Sequence, residues 1–316
     1  MFRWPALVSL LLGAAVAQEI VIRVDVSLVR ILATVKDPGG DRVGTLERGD
    51  FEVLDNGVPQ EIAVFERQTE QPLSVAVLVD TSGSTAKDLK IEVESVSRFF
   101  KALFGGGRRD DMAALYSFNW QITRHNYFTR NLRAFEASLR TLKGEAGTSL
   151  YDAMYLASQD LEERDGRRVV VLVTDGGNTT SSKGFHAALE AAQIADAVIY
   201  PILITPITNE AGRNIGGENA LTLMAQATGG RIFTPDLGSQ LDAAFSDVLS
   251  DLRTQYLLGY YPRGVPPSKD RFHHLTVRVG KPHLRVQART GYYGVSEHPA
   301  PAGGRISVAP EGKKEK

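Results

Sequence analysis

The strongest constraint in this sequence is the contrast between its long apolar runs and the periodic segments that separate them. Leu73-Ser-Val-Ala-Val-Leu-Val79 is apolar at nearly every position and runs directly into Asp80. Residues 112–118, 168–174 and 198–204 have the same character. A strand with one wet face alternates apolar and polar residues, whereas a strand buried on both faces reads as one apolar run. Between the runs, residues 86–104, 132–142, 149–163 and 184–195 carry helical periodicity, with Gly105-Gly-Gly107 stopping the first. Further helices are expected at 220–227 and 238–252, and a short strand at 231–233. Strands alternating with helices predict an α/β fold: a doubly wound, mostly parallel sheet covered on both faces.

The pattern differs on either side of that segment. Residues 20–35 are β-branched and partly alternating, and Asp37-Pro-Gly-Gly-Asp41 is a turn. Residues 51–58 read as a strand entering an Asn-Gly hairpin, with 60–65 returning. Residues 255–261, 271–279 and 284–293 are again strand-like. Both flanks are therefore expected to build one small antiparallel β-sandwich, with the α/β unit inserted in it. The expected division is 1–17, 18–70, 71–252, 253–294 and a disordered tail at 295–316, rich in Pro, Gly and Lys.

Met1 to Ala17 reads as a secretory signal. Arg3 supplies the positive end, residues 6–16 the apolar stretch and Ala15-Val-Ala17 the cleavage site, which predicts a periplasmic or secreted protein. The apolar stretch is too short to span a bilayer comfortably, so no membrane span is expected in the mature chain. The sequence has no cysteine, so an exported chain relies on its core rather than on disulfides. A formal net charge of -1 gives no overall field to recruit nucleic acid or an anionic membrane.

The chemistry gathers where strands end. In an open α/β sheet, ligands bind outside the carboxyl ends of the strands. Asp80 and Asp175 each follow an apolar run directly. In Asp80-Thr-Ser-Gly-Ser84 a sharp turn, eased by Gly83, can aim Ser82 and Ser84 at the same point as Asp80. Thr148 adds a hydroxyl near a helix start. Two carboxylates and three hydroxyls are hard ligands, suited to Mg²⁺ or Mn²⁺ more than to Zn²⁺. They leave a divalent ion incompletely neutralised, and an Asp or Glu of a protein partner could complete its shell.

Asp80-Thr-Ser-Gly-Ser84 resembles the Asp-x-Ser-x-Ser signature of von Willebrand factor A domains, with Thr148 and Thr174-Asp-Gly176 as its later elements. The resemblance spans roughly residues 71–252. It implies a metal-ion-dependent adhesion site in which Ser82, Ser84 and Thr148 touch the ion and Asp80 and Asp175 bind mostly through water. Residues 46–60, 255–262 and 288–293 are similar to a bacterial family of such proteins best represented in acidobacteria, whose members mostly lack an assigned role.

Simpler readings stand beside this one. Ser82, Ser84, Thr148 or Ser149 could cap helices, and Asp175 could be a turn residue. A nucleophilic serine lacks the Gly-x-Ser-x-Gly elbow and any histidine that the sequence places beside it. An aspartyl-phosphate at Asp80 lacks a supporting lysine. Gly105-Gly-Gly107 lacks the Lys-Ser/Thr of a phosphate loop. Arg108-Arg109 reads as a solvated loop, His273-His274 as surface, and Tyr256, Tyr260 and Tyr261 as core. The expectation is a non-enzymatic module that captures an acidic group of a partner through Mg²⁺ or Mn²⁺. The alternatives are a metal-dependent hydrolase using the same ion, or a structural envelope component with a silent metal site.

Overall fold

The computed structural model describes residues 28–67, 70–204, 214–236, 238–266, 268 and 271–294. The expectations for the leader at 1–17, the strand start at 20–27 and the tail at 295–316 lie outside the described residues. The first flank contains β1 (Val29–Lys36), β2 (Phe51–Asp55), β3 (Val58–Gln60) and β4 (Val64–Glu66). The α/β unit follows: β5 (Leu73–Asp80), α1 (Leu89–Gly105), β6 (Met112–Phe118), β7 (Ile122–Thr129), α2 (Leu132–Leu139), α3 (Leu150–Glu162), β8 (Arg167–Thr174), α4 (Phe185–Ile194), β9 (Ala197–Leu203), α5 (Ile215–Thr228) and α6 (Ser239–Thr254). The second flank holds β10 (Tyr256–Tyr260), β11 (Phe272–Val279), β12 (Arg285–Ala288) and β13 (Gly291–Tyr293).

The central sheet runs β7-β6-β5-β8-β9. β5 lies parallel to β6 and β8, and β8 parallel to β9, while β7 is antiparallel to β6 at the edge. All eight residues of β5 are buried, as its apolar run requires. Val75, Val77 and Val79 meet α1 and α6 through Val96, Phe99, Phe100, Leu103, Phe245 and Leu252. Ala76 and Leu78 meet α3 and α5 on the opposite face through Met154, Ala157 and Leu221. The alternation of side chains along β5 thus splits one strand between two cores. The chain leaves β5 for β6 on one side and later returns to β8 on the other, so the order reverses between β5 and β8. That reversal opens the crevice in which an α/β sheet holds its ligand.

Each sandwich sheet draws strands from both flanks, in the orders β12-β1-β10-β4 and β13-β11-β2-β3. The α/β unit is inserted between β4 and β10. Ile31, Val35, Val53, Leu258 and Leu275 fill the space between the sheets. Asn56 and Gly57 have φ of 49° and 82°, the left-handed pair that a two-residue hairpin turn demands. Asp251 of α6, only 1% exposed, ties the sandwich to the α/β unit. It accepts from Arg42 Nε and Arg231 Nε, each at 2.7 Å, and lies 3.3 Å from Lys36 Nζ.

Several expectations are corrected. α1 begins at Leu89 rather than at 86, and α5 begins at Ile215 rather than at 220. The segment 60–65 does not return as one strand: β3 pairs with β2 only to Gln60, and β4 crosses to the other sheet beside β10. Of residues 231–233, only Phe233 makes a bridge, to Ile202. Tyr256 and Tyr260 are core, but Tyr261 is 45% exposed. His273 turns inward, and its Nδ1 lies 3.0 Å from the fully buried Asp55. Asp55 also accepts hydrogen bonds from the hydroxyls of Tyr260 (2.7 Å) and Tyr292 (2.8 Å). Arg108 and Arg109 lie in an exposed loop, as expected, where Arg108 makes a surface ion pair with Glu70 at 3.2 Å.

Candidate metal centre

Asp80 is the last residue of β5 and is fully buried. Its Oδ1 accepts the backbone N–H of Ser82 at 2.8 Å, folding the chain back over the strand end. Its Oδ2 accepts the hydroxyl of Thr174, the last residue of β8, at 2.6 Å. The turn continues with the Thr85 hydroxyl donating to the carbonyls of Asp80 (3.0 Å) and Ser82 (3.1 Å). This places the hydroxyl oxygens of Ser82 and Ser84 at 3.1 Å from each other. Gly83 is not what permits the bend: its φ is not in the left-handed region, and a Cβ there would meet only the Glu145 carbonyl, at 3.9 Å. The backbone that requires glycine lies instead in the two loops facing this turn, at Gly147 and Gly176, with φ of 82° and 84°.

The loop before α3 is drawn against the turn. Glu145 N–H donates to the Thr81 carbonyl at 2.8 Å, and Ser149 N–H to the Asn119 carbonyl at 2.6 Å. From the other side the carbonyl of Thr148 accepts the N–H groups of Thr179 (2.8 Å) and Thr180 (3.1 Å), which follow β8. Asp175 Oδ1 takes the Gly177 N–H at 2.9 Å. A Cβ built on Gly177 would lie 3.0 Å from Asp175 Oδ1 and 3.7 Å from the Thr148 hydroxyl oxygen, so these two oxygens flank one small space. The N-terminus of α5 closes this side, with Asn214 Nδ2 donating to the Gly176 carbonyl at 3.1 Å.

The end of β5, the end of β8 and the loop before α3, which carry the expected ligands, are thus joined to one another by hydrogen bonds at the switch-point crevice. Helix capping does not account for the hydroxyls. The N-cap of α1 is Asp88, beyond both serines, and Ser149 at the N-cap of α3 makes no side-chain capping bond. The Ser149 hydroxyl is instead 2.8 Å from that of Thr180 and 3.2 Å from the Trp120 carbonyl. Thr148 itself is only 5% exposed.

Burial raises the carboxyl of Asp80 to about 6, with nearby Asp175 adding to the rise and the hydrogen bonds from Thr174 and Ser82 opposing it. A buried acid beside a second acid is stabilised by a cation. No group of three or more His, Cys, Asp or Glu side chains is arranged around a common point among the described residues. A cation here would therefore draw on hydroxyl oxygens as well as carboxylates, which fits Mg²⁺ or Mn²⁺.

Two further side chains near the site lie outside the sequence motif. Trp120, just after β6, is 59% exposed beside Gly147, and its Nε1 donates to Glu145 Oε2 at 3.2 Å. Glu92 in α1 is fully buried. Its signal was present all the same: it falls on the stripe of Leu89, Val96, Phe99 and Leu103, where helical spacing puts core residues. No helix among the described residues is long and apolar enough to cross a membrane.

A sequence profile of the von Willebrand factor type A domain matches residues 75–178. No curated protein matches the sequence. Among solved structures the chain is similar to the vWF domain of the type V pilus tip protein Mfa5 from Porphyromonas gingivalis. That likeness has 16% identity and a TM-score of 0.48, over 58% of this chain and 95% of that one. It is also similar to the conserved hypothetical protein BatB from Bacteroides thetaiotaomicron, with 18% identity and a TM-score of 0.45 over 57% and 98% of the two chains. A further likeness is to the pilus adhesin SpaC from Lactobacillus rhamnosus GG, with 12% identity and a TM-score of 0.48 over 73% and 43%.

Proposed function

We propose that the chain is a non-enzymatic binding module built on the von Willebrand factor type A domain whose profile matches residues 75–178. Asp80, Ser82, Ser84, Thr148 and Asp175 hold one Mg²⁺ or Mn²⁺ ion, and the ion captures an Asp or Glu side chain of a protein partner. The observation that carries this reading is the pairing of the Ser82 and Ser84 hydroxyls beside Asp80, with Asp80 itself bonded to the end of β8. Two ionised acids balance the charge of a divalent ion, but five protein oxygens leave one of its six positions open, and a partner's carboxylate takes that position. Hard-cation coordination accounts for the selectivity toward acids. The exposed Trp120 at the rim offers a large apolar contact, of the kind that anchors protein interfaces.

We assign the flanks at 18–70 and 253–294 to the sandwich and 71–252 to the cation-binding unit, in a protein exported by the leader at 1–17. The hydrolase reading receives less support. Activating water needs a base that can reach a substrate, and Glu92, an acid behind the site with no hydrogen-bond partner, is fully buried.

The test is retention of envelope proteins on the immobilised chain in Mg²⁺ and in EDTA, with Asp80→Ala as control. The expected result is retention that is lost in EDTA, lost with Asp80→Ala and lost when the partners' carboxylates are amidated. Retention that survives all three treatments would move the contact to the sandwich and end the metal-capture reading.

A further inference from the structure

Glu92 is an acid in the wrong place for a purely structural residue. It lies in the first turn of α1, on the face that packs Leu89, Val96, Phe99, Phe100 and Leu103 against the central sheet. Its exposure is 0%. Neither carboxylate oxygen has a hydrogen-bond partner among the described residues. The charges that act on it are all of its own sign, from Asp80, Asp88 and Asp175. Burying a carboxyl without a donor or a counter-charge is costly, and an apolar side chain on this stripe would pack without that cost. Burial, reinforced by these acids, pushes its carboxyl up to about 8. What the position lacks is a positive charge, and two of the three acids that act on it, Asp80 and Asp175, belong to the cation site.

We propose that Glu92 is an outer carboxylate of the cation site, one that supplies negative charge behind Asp80 and Asp175 rather than a ligand oxygen. The role is an outer one because no three acids among the described residues converge on a common point. With no hydrogen bond to a ligand, Glu92 acts through its charge alone, and removing an anion from a buried, low-dielectric position weakens binding of a nearby cation. The inference rests on the cation site proposed above and adds a third acid to it. It also ties α1 to the site electrostatically, although every proposed ligand lies outside that helix.

The experiment is calorimetric titration of Mg²⁺ and of Mn²⁺ into the full chain, for the unaltered protein, Glu92→Gln, Glu92→Leu and Asp80→Ala, with thermal unfolding of each with and without metal. Glu92→Gln keeps the shape of the side chain, and Glu92→Leu suits the apolar stripe if the amide is not tolerated. The expected result is that both variants unfold without metal at a temperature no lower than the unaltered protein. Their affinity for Mg²⁺ falls at least tenfold, and most of the metal-induced rise in unfolding temperature is lost. A merely structural role predicts the reverse, a lower metal-free unfolding temperature with unchanged affinity, and that result would overturn the inference. If the Glu92 variants bind like the unaltered protein while Asp80→Ala does not, the inference fails and the site stands. If the unaltered protein binds neither ion, the site itself fails and takes the inference with it.

Discussion

Thr174 donates its hydroxyl hydrogen to Asp80 Oδ2 across 2.6 Å, joining strand ends 94 residues apart in sequence. The bond lies across the switch point of the sheet and fixes the rotamer of the central acid of the site. Thr174→Val keeps the shape and removes the donor. A hydrogen bond to a buried acid is worth roughly 1 to 3 kcal/mol, so denaturant unfolding should report a loss of that order. The same variant should bind Mg²⁺ more weakly, because Asp80 is no longer held in place. Unchanged stability and affinity would mean that the contact contributes nothing.

The raised acids give the metal-free protein a defined pH response. Asp80 moves from 3.8 to about 6 and Glu92 from 4.5 to about 8, with Asp88 and Asp175 as the neighbouring acids. A folded-state value raised above the unfolded one contributes stability that is complete below the unfolded value and is lost as pH rises through the folded value. Metal-free protein should therefore lose stability across the window from about pH 4 to 8, measured as unfolding temperature in EDTA. Glu92→Gln should remove the alkaline part of that loss. Mg²⁺ affinity should rise over the same window, since the ion binds ionised carboxylates.

In the sandwich, Asp55 accepts from Tyr260, Tyr292 and His273 and is fully buried. Asp55→Asn replaces one acceptor oxygen by an NH₂ group facing donors. The network loses bonds to a charged acceptor, so the expected cost is about 2 to 4 kcal/mol by chemical denaturation. Mg²⁺ binding should be unaffected in the fraction that remains folded, because these residues belong to the sandwich rather than to the cation site.

Trp120 provides an optical reporter. Trp4 and Trp120 are the two tryptophans of the chain, and Trp120 borders the site. In the chain without its leader, which carries Trp4, Mg²⁺ should change the Trp120 emission, since Glu145, its hydrogen-bond partner, is also bonded through its backbone to the turn after Asp80. Trp120→Phe should abolish the signal and leave the calorimetric affinity within about twofold. A signal that persists in that variant would have another origin.

The buried strands were legible because burial on both faces leaves an unbroken apolar run, and the ends of β5 and β8 located Asp80 and Asp175 at once. The Asn-Gly turn was equally plain, since only that chemistry suits two successive left-handed residues. β7 was missed because an exposed edge strand carrying Arg124, His125 and Asn126 has no continuous apolar run. The crossing of β4 to the second sheet was invisible because three residues carry no period. The inward turn of His273 depends on Asp55, 218 residues away, which no local pattern encodes. Glu92 could have been found, had its place on the apolar stripe been weighed above its charge. The hydroxyl set was readable as residue types, but the pinning of the Thr148 loop by Thr81, Asn119, Thr179 and Thr180 comes from tertiary hydrogen bonds alone.

The most direct test of the central claim is equilibrium binding of Mn²⁺ followed by electron paramagnetic resonance of the free ion. The account predicts one Mn²⁺ per chain, displaced by Mg²⁺, with binding lost in both Asp80→Ala and Thr148→Ala because the two residues serve the same ion from different loops. Stoichiometric binding that survives both substitutions, or no binding by the unaltered protein at millimolar Mn²⁺, would contradict it.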